Sequence, residues 1–201
     1  MELQLIIDHE ELHAKWLNTL SFLENCGARK IAAYEHPTLV KEEMLKHAAE
    51  EFRHAFYLKQ QIKKISSKKK ETYASSEILG GMATRHYLHA LEVQVSRFLL
   101  QKGDQKEKAY VLVTYAIEKR AEQLYPSYEK LLRKSNSKVT VKSILLEEEK
   151  HLEEMEAQME QWPYEFTESA CAIEEAIYSS WEEQISQEVL RFLKSLDMKR
   201  A

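Results

Sequence analysis

Apolar residues recur every three or four positions along most of this chain, and no segment alternates apolar with polar over a useful length. The first spacing marks one face of a helix and the second would mark a strand, so the pattern predicts an all-α protein. Six helical segments emerge. The first begins at Asp8, where Glu11 completes a capping-box-like start, and runs to about Tyr34. "EHPT" breaks it, because Pro37 disfavours helix in the residue before it. The second runs from about Thr38 to Ile65 and is followed by "SSKKKETYASS", a polar, basic stretch that reads as a solvated loop rather than an anion-binding patch. The third spans about Ser76 to Lys102, with a loose start at Gly80-Gly81. Gly103 is placed to close it as a left-handed residue, and Asp104 with Glu107 to open the next. The fourth continues to about Lys134 and is expected to bend at Pro126. After the turn "SNSK", the fifth covers about Val139 to Gln161; "WPYEFT" follows, and the sixth runs from about Glu168 to Leu196.

The apolar stripes carry residues that do not belong there. Glu148 and His151 interrupt the stripe Val141, Ile144, Leu145, Leu152, Met155, Met159. Glu51 shares a face with Met44, Ala48, Ala55, Leu58 and Ile62, and His54 lies three residues on. Side chains at i and i+3 project from one helix face, so each Glu/His pair can reach a common point. Glu24 lies on the stripe Leu17, Leu20, Gly27, Ala28, Ile31, and Glu118 on Val111, Thr114, Ala121, Tyr125. A third Glu-x-x-His match, Glu10/His13, falls in the first turn, where an acidic residue complements the helix dipole, and is set aside as a decoy. Burying an ionised carboxylate without compensation costs several kcal/mol. Four of them on core faces call for a shared cation or four separate partners.

Composition narrows the class. A chain of 201 residues suffices for one domain spanning 1–201, and four Gly and three Pro leave room for long uninterrupted helices. A net charge of -4 suggests neither a nucleic-acid surface nor a polyacidic tail. The two cysteines, Cys26 and Cys171, form no CxxC pair and read as free thiols of a reducing compartment. The acidic start "MELQLIIDHEEL" is unlike a secretory signal, and no stretch approaches the roughly 18 apolar residues of a membrane span. The expectation is a soluble cytoplasmic protein without nucleic-acid or membrane partners.

The order of the anomalous residues is informative. Glu24 and Glu51 stand thirteen and fourteen residues from Pro37, so antiparallel helices bring them level. Glu118 and Glu148 flank Asn136 less evenly, by eighteen and twelve, which a bend at Pro126 and a longer turn would absorb. The halves form a weak repeat: Glu24 precedes Tyr34-Glu35 by ten residues, and Glu118 precedes Tyr128-Glu129 by ten. Glu, Glu-x-x-His, Glu, Glu-x-x-His on four core helices resembles the ligand pattern of the ferritin-like dimetal-carboxylate proteins, rubrerythrin and ferritin among them. The segments "LENCGARK", "AEEFRHAF", "IEKRAEQLYP" and "LEEEKHLEEM" carry the resemblance.

That resemblance implies a ferritin-like four-helix bundle core with two additional helices. It makes Glu24 and Glu118 single-carboxylate ligands, and Glu51 with His54 and Glu148 with His151 the paired sets. Glu122, one turn after Glu118, is its rival and otherwise an outer-shell or surface residue. His47, one turn before Glu51, and Tyr115 are candidates for the shell around the ligands. His86, His89, Tyr125 and Cys26 are given no chemistry. Carboxylates with imidazoles suit two iron ions, or manganese, and two divalent cations balance four carboxylates. The implied activity is a di-iron oxidase or oxygenase acting with O2 or peroxide on an unidentified small molecule. A rubrerythrin-like peroxidase or an iron-handling protein is the alternative, and a metal-free helical interaction module is the alternative of another class. A haem-oxygenase-like dimetal fold is a structural rival. Without a rubredoxin segment, electrons would come from a separate donor. The two added helices are compatible with a homodimer.

Overall fold

The computed structural model describes residues 2–36, 38–104 and 107–200, and their side chains except those of 107, 199 and 200. Among these residues there are seven helices and no strand: α1 (Leu3–Ile7), α2 (Glu10–Tyr34), α3 (Glu42–Ile62), α4 (Gly81–Gln101), α5 (Glu107–Lys134), α6 (Lys142–Met159) and α7 (Tyr164–Arg200). None is long and apolar enough to cross a membrane.

The seventh helix arises at the N-terminus. Asp8 does not cap α2; it ends the short α1, and its carboxylate accepts a hydrogen bond from the Gln4 amide at 2.8 Å. His9 is the extended residue before α2 and makes no side-chain cap bond. The capping-box reading fails because apolar residues N-terminal to Asp8 have a core to enter: Leu3 and Ile6 are buried. Pro37 and the Glu107 side chain, invoked above as a breaker and a cap partner, lie outside the described residues. Around the first turn, the His36 ring nitrogen accepts from the backbone N–H groups of Thr38 and Leu39. α7 begins at Tyr164, earlier than the sequence pattern suggests, because Pro163 supplies a carbonyl to the Phe166 N–H rather than holding the chain extended. α5 runs helical through Pro126.

Two stops match their sequence signals. At the end of α4, Gly103 has φ +72°, the Asp104 N–H bonds the Leu99 carbonyl and the Gly103 N–H bonds the Leu100 carbonyl, a Schellman closure. Asn136, φ +49°, closes α5 in the same way, with Ser137 N–H on the Leu132 carbonyl.

The chain divides into two compact units. The first comprises Met1–His86, Leu131–Thr140 and Ser179–Ala201. Here α2 and α3 pack antiparallel, as the Ser21 hydroxyl on the Ala55 carbonyl and the Lys59 ammonium on the Asn18 amide oxygen establish. Trp16 is fully buried and meets Trp181 with ring centroids 6.0 Å apart. The Trp181 indole N–H donates to Thr84 Oγ1 at 2.7 Å. Gly80 makes room for that pair: a Cβ there would come within 2.7 Å of Thr84 Oγ1, at a backbone φ of +72° that side chains avoid.

The second unit comprises Tyr87–Lys130 and Val141–Tyr178. Leu91, Val95, Leu99, Leu112, Met155 and Phe166 form its apolar core, and Phe98 meets Phe166 edge-on at 5.8 Å. Burying each such side chain contributes about 1.5–3 kcal/mol, enough to hold long helices whose surfaces are highly charged.

Candidate metal-binding clusters

In the first unit, the stripe foreseen on α3 is buried, with Ala48, Ala55, Leu58 and Ile62 inside. Glu51 and His54 are buried with it, at 7% and 3% exposure. Glu24 comes from α2, its side chain 11% exposed. His54 Nδ1 stands 3.8 Å from Glu24 Oε2 and 3.8 Å from Glu51 Oε1. Each of the three residues offers one ligand atom within 4.8 Å of the others. His47, one turn before Glu51 on α3, has its Nε2 3.6 Å from Glu51 Oε1.

The second unit repeats the arrangement. Glu118 of α5 and Glu148 and His151 of α6 are all buried. His151 Nδ1 stands 3.7 Å from Glu118 Oε1 and 3.9 Å from Glu148 Oε2. In both units one imidazole presents Nδ1 to two carboxylates, one from its own helix three residues earlier and one from another helix.

The separations carry chemical meaning. A carboxylate and a protonated imidazole that pair directly close to about 2.7–2.9 Å. Donors gathered at about 2.1 Å around one ion stand about 3–4.2 Å apart, from simple trigonometry on ordinary metal–ligand lengths. The distances of 3.6–3.9 Å within both clusters fall in the second range. Mixed oxygen and nitrogen donors without thiolate suit a divalent first-row ion.

Room for the donors is built into the backbone. Gly27 sits one turn after Glu24 on α2, and a Cβ added to it would lie 3.2 Å from Glu51 Oε2. A glycine inside a helix costs about 1 kcal/mol relative to alanine, so this one trades helix stability for space beside the carboxylate.

The remaining candidates are placed as follows. Glu122 is exposed and bonds Lys119 at 3.1 Å, whereas Glu118 is 3% exposed. Tyr115 is half-buried against the apolar core of the second unit, and burial pushes its phenol pKa up. Tyr125 is buried, and His86 and His89 are exposed. Glu10 and His13 lie apart from the first cluster, lining an open pocket of about 400 Å³ with Lys64, Ser135 and Lys138. Burial pushes the His13 imidazole down to about 4.

Two buried carboxylates escaped the sequence reading. Glu129 accepts the Val141 N–H at 2.8 Å. Glu174, 3% exposed, is held by Arg120 through Nη2 at 2.7 Å and Nε at 3.0 Å, and accepts the Tyr87 hydroxyl. The guanidinium also lies 3.7 Å over the Tyr178 ring. Both glutamates sit among many others on their helices, and only the partner across the core distinguishes them.

Comparison with family models, curated proteins and solved structures gives no match for this chain.

Proposed function

We propose that this chain is a dimetal-carboxylate protein that binds two iron ions, with manganese as the alternative metal, and that it acts as an oxidase or oxygenase. One observation carries the reading: two Glu/Glu/His sets of the same composition, buried except for a partly exposed Glu24, keep each imidazole Nδ1 3.7–3.9 Å from both carboxylates, the spacing of ligands around an ion. An all-helical chain with such clusters is compatible with a ferritin-like fold, the resemblance that the order of the ligands suggests.

Glu24, Glu51 and His54 in the first unit, and Glu118, Glu148 and His151 in the second, are the ligands this reading assigns. Their four carboxylates match the charge of two divalent cations, which offsets a desolvation cost of several kcal/mol per ion. Ala55 and Leu58 beside the first set, and Ile144 and Leu152 beside the second, exclude water, so the imidazoles and carboxylates act as ligands in a low-dielectric surrounding. A reduced di-iron pair would supply the electrons for activating O2 or peroxide. The substrate and the electron donor lie outside what the clusters specify.

The test is metal stoichiometry by elemental analysis on protein purified without chelator, followed by O2 consumption after anaerobic Fe(II) loading and reduction. About two ions per chain, with O2 uptake, is the expected result. Glu51→Ala and His151→Ala should each lower metal content sharply, while Glu10→Ala and His13→Ala should leave it unchanged. A chain that takes up no metal under anaerobic iron would be a helical interaction module instead. Metal uptake without O2 consumption would favour iron handling.

A further inference from the structure

We propose that the outward face of α3 is a contact surface for a second copy of this chain, the two α3 helices running antiparallel about a two-fold axis. Leu45, Ala49, Phe52 and Phe56 follow one another at spacings of four, three and four, so they form a single stripe along α3. All four are exposed, Leu45 at 48%, Phe52 at 44% and Phe56 at 64%. The buried stripe of α3, with Ala48, Ala55, Leu58 and Ile62, is a different one and packs into the first unit. The exposed positions of a helix ordinarily carry charge, as Glu149, Lys150, Glu153 and Glu156 of α6 do. A leucine and two phenylalanines aligned in water mark a contact surface instead.

The ends of the stripe indicate what covers it. Glu42 extends it into the first turn of α3 and Lys63 extends it to the C-cap, and both are exposed. Lys63 donates to the Gln60 side-chain oxygen at 2.8 Å, which uses one of its three N–H groups. An acid at one end, a base at the other and hydrocarbon between make the stripe complementary to itself when a second copy runs the opposite way, as an isologous two-fold contact requires. Centred on the apolar stretch, this pairing lays Leu45 of one copy opposite Phe56 of the other. It also lays Ala49 opposite Phe52, a small side chain against a large one, so ridge meets groove. Glu42 comes to the end of the other helix that carries Lys63, and each helix N-terminus lies beside the other's C-terminus. A parallel pairing would set Glu42 against Glu42 and Phe56 against Phe56. The surface lies apart from the donor atoms of Glu51 and His54, so the proposal goes beyond the dimetal reading and does not rest on it.

The test is the mass of the full-length chain by sedimentation equilibrium, over a series from micromolar to millimolar protein. The expected result is a dimer, twice the 23.7 kDa of one chain, in metal-free and metal-loaded protein alike. Phe56→Glu should raise the dimer Kd about tenfold or more, with an unchanged circular-dichroism spectrum because the side chain is exposed in the single chain. Glu42→Lys and Lys63→Glu should each raise it about two- to fivefold. The two reversals combined should restore it, a recovery that impaired folding would not produce. A wild-type chain that stays monomeric throughout the series overturns the proposal and leaves the stripe to a different partner. A dimer that Phe56→Glu leaves intact, or single reversals without effect, would overturn it too. Metal content enters none of these readouts, so failure here and failure of the dimetal reading are separate results.

Discussion

Glu174 and Glu148 are both buried glutamates of the second unit, 3% and 5% exposed, yet they are held in different ways. Arg120 closes on both oxygens of Glu174 at 2.7–3.2 Å, and the Tyr87 hydroxyl adds a further bond. Burial and that carboxylate hold the Tyr87 phenol well above its usual range. Beside Glu148, His151, the imidazole of its own cluster, stands 3.9 Å away. A carboxylate neutralised by a protein cation draws that cation into hydrogen-bond contact. In the dimetal reading proposed above, a carboxylate placed for a metal is kept at the distance that the ion's coordination shell sets. Burial alone does not separate the two cases, and the tests below do.

The largest expected effect breaks the first kind of site. Arg120→Met should destabilise the fold by about 3–5 kcal/mol, because Glu174 is then buried without its guanidinium. Denaturant unfolding of the metal-free protein measures this, and the loss should be the same when metal is present. A loss that appears only in the metal-loaded protein would tie Arg120 to the clusters instead.

Next comes removal of metal itself. Chelation should lower stability by about 2.7 kcal/mol for each ion removed, relative to protein held with free ion at a hundredfold excess over Kd. Thermal unfolding with and without chelator gives the number. An unchanged melting temperature would mean that the cluster glutamates are satisfied as Glu174 is.

A third test uses His13, a buried imidazole outside the clusters. Its folded pKa, about 4, lies below its ordinary value of 6.5. Above 6.5 both folded and unfolded chains carry it neutral and it costs nothing. As pH falls below 6.5 the unfolded chain takes up a proton that the folded chain refuses, so stability declines until pH approaches 4. The decline attributable to His13 is at most about 3 kcal/mol. His13→Gln should remove it, visible as a flatter dependence of unfolding free energy on pH in metal-free protein. Equal slopes for the two proteins would show that the imidazole is not protected from protonation.

The smallest effect is expected at Gly27. Gly27→Ala should change metal-free stability by no more than about 1 kcal/mol, since better helix propensity offsets crowding. Metal affinity should fall severalfold, because the new methyl would sit 3.2 Å from Glu51 Oε2. Calorimetric titration checks it, and unchanged affinity would show that Glu51 has room to move.

The helices were legible because their periodicity is a local property. Faces such as Ala48, Ala55, Leu58, Ile62 on α3 and Ile144, Leu152, Met155, Met159 on α6 are buried as their spacing predicts. The turn residues Gly103 and Asn136 were legible for the same reason, since a left-handed backbone is a demand on one residue. Glu51, His54, Glu118, Glu148 and His151 stood out because a charged or polar group on an apolar stripe conflicts with its neighbours in the sequence.

Other features depend on groups far apart in the chain. The basic stretch after α3 reads as a solvated loop, but Tyr73 from it bonds Ser21 and packs on Phe22, and Lys59 grips the Lys70 carbonyl. Glu174 is unremarkable in sequence until Arg120, on another helix, is brought to it. Gly27 reads as a weak point in a helix until Glu51 arrives beside it. Periodicity therefore determined which faces turn inward and which carboxylates are anomalous. Only the tertiary structure decided which buried charge meets a protein cation and which meets other metal-type donors. Burial follows from local pattern, whereas charge compensation depends on distances across the core.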